Sequence, residues 1–103
     1  MKYLNNAFSL AMLTGNNDLE VRDVDLEEFQ IVAKDATSVV GHQDTANILA
    51  TILDRPVEFN RVSTKLESGD IMCVAQYNGP RLPEGAMSLP EGATFRWMIV
   101  RVR

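Results

Sequence analysis

Two helix-start signals set among strand-like runs do most to limit what this chain can become. Asp25 is followed three residues later by Glu28, the spacing of a capping box, and the apolar positions Leu26, Phe29, Val32 and Ala33 then recur at three- and four-residue steps. This pattern predicts a helix over about Leu26–Lys34 with one face packed on a sheet. A second helix is predicted from about His42 to Leu53, closed where Asp54-Arg55-Pro56 imposes extended or turn geometry ahead of the proline. Strand signals surround them at Lys2-Tyr3-Leu4, Leu19–Asp23, Val57–Leu66, Ile71–Tyr77 and Phe95–Val102, the last with Phe95 and Trp97 on one face of an alternating pattern. Glu67-Ser68-Gly69-Asp70 reads as a hairpin turn between the third and fourth of these runs, and Gly15-Asn16-Asn17 as a turn near the start. The expectation is an α/β fold: a single small domain over residues 1–103, its mixed sheet of about five strands flanked by helices.

Composition narrows the function classes. The net charge of -4 argues against a domain that depends on long-range attraction to duplex DNA or anionic lipid. A small anionic ligand remains compatible, because a few arginines and helix N–H groups in one cleft outweigh a diffuse charge screened within about 10 Å. The one cysteine, Cys73, lies in the apolar run Ile71-Met72-Cys73-Val74-Ala75 and is expected to be a buried, inert thiol in a reducing setting. No run approaches the ~18 apolar residues of a membrane span, and Met1-Lys2-Tyr3-Leu4-Asn5-Asn6 lacks the apolar core of a secretory signal. A soluble, cytoplasmic protein is expected.

The chemistry-bearing residues are few. No Cys/His cluster, no carboxylate pair at metal-ligand spacing on a helix, and no glycine-rich loop ahead of a lysine is present, so neither a metal site nor P-loop nucleotide hydrolysis is expected. Ser9, Ser38, Ser63, Ser68 and Ser88 stand in no nucleophile motif. The single histidine, His42, stands at the predicted start of the second helix, where unpaired N–H groups and the positive end of the helix dipole suit an anion. A lone histidine there is more often a cap or packing residue than a catalyst. With arginines and a glutamate beside it, however, the set is what metal-free RNA cleavage needs: a proton donor for the leaving 5′-oxygen and cations for charge building on phosphorus, the nucleophile being the ribose 2′-hydroxyl. The acidic run Asp23, Asp25, Glu27 and Glu28 reads as a solvated helix start rather than a ligand set.

Four motifs in order carry a resemblance that spans nearly the whole chain. They are Tyr3-Leu4-Asn5-Asn6-Ala7-Phe8-Ser9-Leu10-Ala11-Met12-Leu13, Gly41-His42-Gln43-Asp44-Thr45, Phe59-Asn60-Arg61, and Gln76 followed by Arg81-Leu82-Pro83-Glu84-Gly85. Together they resemble the viral ring nuclease family, whose members act as type III anti-CRISPR proteins and also occur in phages, mobile elements and host genomes. The resemblance implies a small α/β protein forming a two-fold dimer that cuts cyclic tetra-adenylate, the second messenger activating type III CRISPR ancillary nucleases, without a cofactor or metal. The implied products are linear adenylates, down to di-adenylate, ending in a 2′,3′-cyclic phosphate.

Position by position, the resemblance implies that His42 is the general acid toward the 5′-oxygen and Arg81 the cation that steadies the phosphate in the transition state. Glu84 matches a glutamate that either orients His42 or accepts the 2′-hydroxyl proton. Asn6, Ser9, Arg61 and Gln76 match positions that line or approach the ligand pocket, and Gly41 and Gln43, on either side of the catalytic histidine, are expected to bind substrate with them. Phe8, Met12 and Leu13 read as core, and Thr45 as a residue that satisfies the first helical turn. Two features depart from the family pattern: Asn78-Gly79-Pro80 puts a rigid Gly-Pro before Arg81, and Leu82-Pro83-Glu84-Gly85-Ala86 returns as Leu89-Pro90-Glu91-Gly92-Ala93. Two other readings stay open: a sponge that binds a cyclic oligonucleotide without cutting it, and a regulatory protein of a mobile element.

Overall fold

The computed structural model describes residues 1–103. Five strands form one mixed sheet in the order β2-β5-β4-β1-β3. β1 (Lys2–Asn5) lies parallel to both β3 (Thr37–Ser38) and β4 (Ile71–Asn78), whereas β5 (Thr94–Val102) runs antiparallel to β4 and to β2 (Leu19–Asp23). The uninterrupted apolar run Met72–Ala75 is explained by this central placement. Cys73 and Ala75 face one core while Met72 and Val74 face the other, and all four are buried. Burial pushes the Cys73 thiol up to about 11, so it is protonated at neutral pH.

α1 (Leu26–Ala33) and α2 (Gln43–Leu53) pack on the first of these faces. Phe29 and Ala33 from α1 and Ala46, Leu49 and Leu53 from α2 close over Leu4, Cys73, Ala75 and Ile99. Phe29 meets Trp97 with ring centroids 4.8 Å apart, and Trp97 in turn meets Phe95, as the alternation of β5 anticipates. Asp25 caps α1 as its spacing predicts, its carboxylate accepting the Glu28 N–H at 2.8 Å. Glu28 does not return the bond of a full capping box and pairs with Arg22 instead. Beyond the C-terminus of α1, the Arg55 guanidinium donates to the carbonyls of Ala33, which also accepts the Ala36 N–H, and of Ala36, tying the end of α1 to the segment after α2. No α-helix covers the second face. There Tyr3, Phe8, Met12, Leu13 and Leu66 close over Met72, Val74, Val100 and Val102.

The expected strand Val57–Leu66 and its hairpin to β4 are not formed. Both edges of β4 are taken, by β1 and β5, and 57–66 has no continuous apolar face to compete with either: Glu58, Phe59, Arg61, Val62, Ser63 and Lys65 are exposed. Only isolated bridges remain, Val40 to Phe59 and Leu13 to Leu66. Glu67–Asp70 does turn, with Gly69 at φ 96°, but its Gly69 N–H bonds the Val102 carbonyl at 2.8 Å, so the turn leads the chain into β4 beside β5. The short strand β3 fell outside the expected pattern because two residues carry no periodicity.

Candidate functional site

Three parallel strands, β3, β1 and β4, end at the same side of the sheet, and α2 starts there. Crevices beyond the carboxyl ends of strands are where open α/β sheets bind ligands. Val40, bridged to Phe59, leads from β3 through Gly41 to His42, the N-cap of α2. The cap is made by the ring: Nδ1 accepts the Thr45 N–H at 3.4 Å and lies 3.3 Å from Thr45 Oγ1. An Nδ1 that accepts a backbone N–H carries no proton, so in the neutral ring the proton is assigned to Nε2. The reading of Thr45 as a first-turn residue and the capping reading of His42 both describe the contact. Nothing in it stops His42, which is exposed, from also presenting Nε2 to a ligand.

Segment 58–61 is clamped against this start. Asn60 donates its backbone N–H to Val40 O at 2.9 Å and its side-chain amide to Ser38 O at 3.0 Å, while Ser38 Oγ donates to Glu58 O at 2.7 Å. The clamp sets Arg61 beside Gly41, where a Cβ on the glycine would lie 3.4 Å from Arg61 Cγ. On the other side, the β4–β5 connection returns over the strand ends. Its base is pinched: a Cβ on Gly79 would come within 2.7 Å of Ala93 Cβ and 2.9 Å of the Tyr77 hydroxyl, which itself donates to Pro80 O at 2.5 Å. Only glycine fits that approach, which accounts for Gly79 at this point of the chain.

A cleft of about 820 Å³, within the size range of small-molecule sites, opens between these elements and is lined by Asn6, His42, Asp44, Tyr77, Arg81 and Glu84 among others. Four residues singled out in the sequence, Asn6, His42, Arg81 and Glu84, thus share one space although they come from three separate segments. Arg81 and Glu84 are exposed and form no ion pair, with each other or with any other group, leaving the guanidinium fork open to an anion. The structure does not bring in the others. Gln76 lines a smaller neighbouring hollow of about 240 Å³ that shares Asn6. Ser9 caps a 3-10 turn at Leu10–Met12 by accepting the Ala11 N–H, and Gln43 is engaged along α2 with Asn47. Gly41 and Arg61 flank the cleft without lining it.

Asp44 and Tyr77 line the cleft and were not singled out. The signal for Asp44 was its place in the first turn of a helix, where an acid is ordinarily read as favoured by the dipole alone. No three His, Cys, Asp or Glu side chains converge as a metal would require. No helix is long and apolar enough to cross a membrane.

Comparison with known proteins agrees with this architecture. In solved structures, B116 of Sulfolobus turreted icosahedral virus (STIV) superposes with a TM-score of 0.84, covering 97% of this chain and 97% of that one at 24% identity. At that identity the likeness speaks for the fold. Among curated sequences, none matches this chain. The family model described as STIV B116-like matches residues 2–93, from β1 through the β4–β5 connection, and the protein belongs to that family.

Proposed function

We propose that this protein is a metal-independent ring nuclease that opens cyclic tetra-adenylate and so switches off type III CRISPR ancillary effectors. The observation that carries the reading is the convergence of His42, Arg81 and Glu84 on one cleft, with the His42 ring held so that its proton-bearing nitrogen is free of the cap. In this reading the ribose 2′-hydroxyl attacks phosphorus and the bond from phosphorus to the 5′-oxygen breaks. His42 Nε2–H protonates that oxygen as it leaves, and Arg81 holds the phosphoryl oxygens as their charge grows. The product ends in a 2′,3′-cyclic phosphate opposite a free 5′-hydroxyl. Glu84 either orients the imidazole or takes the 2′-hydroxyl proton. Asn6 supplies an amide contact to base or ribose, and Arg61, Ser9 and Gln76 act from the rim or from a second protomer.

A two-fold dimer suits such a ligand, because a ring of four like units offers opposite phosphodiesters to two identical sites. Alignment of the 2′-hydroxyl with the 5′-oxygen would supply much of the acceleration. The test is incubation of the purified protein with cyclic tetra-adenylate in excess EDTA, with products resolved by chromatography and mass. Linear adenylates with a cyclic phosphate end are expected. An intact ring that is nevertheless tightly bound would make the protein a sponge, and absence of binding would remove the reading.

A further inference from the structure

The β4–β5 connection contains two copies of one turn. Leu82–Ala86 and Leu89–Ala93 each close through a backbone bond of 3.1 Å, from Ala86 N–H to Pro83 O and from Ala93 N–H to Pro90 O. Each places its glycine at positive φ, 77° at Gly85 and 80° at Gly92. The same local sequence therefore makes the same local structure twice. What differs is the surroundings. The Gly85 N–H donates to Asp44 Oδ2 at 3.3 Å, whereas the Gly92 N–H has no partner. The Gly85 bond is the one hydrogen bond between this connection and α2, and only the first copy, through Pro83 and Glu84, lines the cleft.

We propose that Asp44 is a positioning residue that latches the Pro83–Ala86 turn, and with it Glu84, to the start of α2. A carboxylate in the first turn of a helix is steadied by the dipole, and it accepts an N–H more strongly than a neutral group does. Asp44 and Glu84 carry like charges, so the attraction that holds the turn is the backbone N–H next to Glu84 and not the glutamate itself. Asp44 thereby selects which of two equivalent turns faces His42. The bond and the selection are independent of the chemistry; that the latch serves catalysis rests on the ring-cleavage reading.

Amide exchange at Gly85 and Gly92, followed by NMR in the ligand-free protein, separates the two. In the parent chain Gly85 is expected to exchange several-fold more slowly than Gly92, the in-chain reference. Asp44→Ala should bring the two amides together, and Asp44→Asn, which keeps an acceptor oxygen, should restore the difference. With cyclic tetra-adenylate as substrate, Asp44→Ala should lower kcat about three- to tenfold, the worth of one ordinary exposed hydrogen bond, while KM stays within about twofold. Asp44→Asn should recover most of the loss. Equal exchange at the two glycines in the parent chain, or full kcat in Asp44→Ala, overturns the proposal. A parent chain that leaves the ring intact while Gly85 is protected overturns the ring-cleavage reading and supports the latch.

Discussion

At the scale of single residues, His42 holds two jobs that can be separated by substitution. Its Nδ1 caps α2, and the proposed chemistry uses Nε2. Asparagine is among the best N-cap residues but donates no proton at the leaving oxygen. His42→Asn should therefore unfold within about 0.5 kcal/mol of the parent in denaturant, while His42→Ala loses about 0.5–1 kcal/mol, the ordinary worth of a cap. Both should lose most ring-opening turnover with ligand binding retained; an Asn variant that turns over normally would remove His42 as the acid. The sequence pointed to this residue by its helix-start context, and the same context made the capping reading equally natural. One atom of the ring answers to each.

At the scale of elements, most of the sheet and both helices were readable because each has its own periodicity or cap. β2 runs Leu19–Asp23 as expected, and α1 begins behind Asp25 as its spacing requires. Where the reading failed, at 57–66, the segment has strand-like residue types but no strand-like face, and its place was decided by which partners β4 had already taken. Such competition between segments has no local signature. The same holds for the cleft: that Asn6, Arg81 and Glu84 meet His42 follows from β1 and β4 being neighbours, which spacing along the chain does not reveal. One interelement link yields a pH expectation. Arg96 on β5 grips Asp23 of β2 with two bonds, 2.7 and 2.9 Å, and this donation holds the Asp23 carboxyl below its usual value. The unfolded chain then takes up its proton first, so what the pair contributes is present above about pH 4 and fades as pH falls through the lower folded value. The pair is solvent-exposed and its effect on stability small and screened by salt. NMR titration of Asp23 should show the depressed midpoint directly, with Arg96→Gln returning it to the ordinary carboxylate range.

At the scale of the whole molecule, the sheet is assembled in an order that the chain does not follow. β1, the first strand in sequence, sits inside the sheet, held on one side by β3 and on the other by β4. Neither contact is local, so the central part of the sheet cannot close before segments far downstream are in place, and closing such long loops slows folding. Refolding followed by the fluorescence of Trp97, which reports the meeting of β5 with Phe29 of α1, is expected in milliseconds to seconds rather than microseconds. A single rapid microsecond phase would contradict this topology. The cleft inherits the same timetable: Asn6 follows β1 directly, whereas Arg81 and Glu84 follow β4. During synthesis, then, the ribosome releases the histidine and its helix long before the arginine that would share their ligand. A nascent chain stalled anywhere ahead of β4 has half a site and lacks Cys73, Ala75 and Ile99, over which the apolar helix faces close, making the newborn protein, not the finished one, the form that most needs a chaperone.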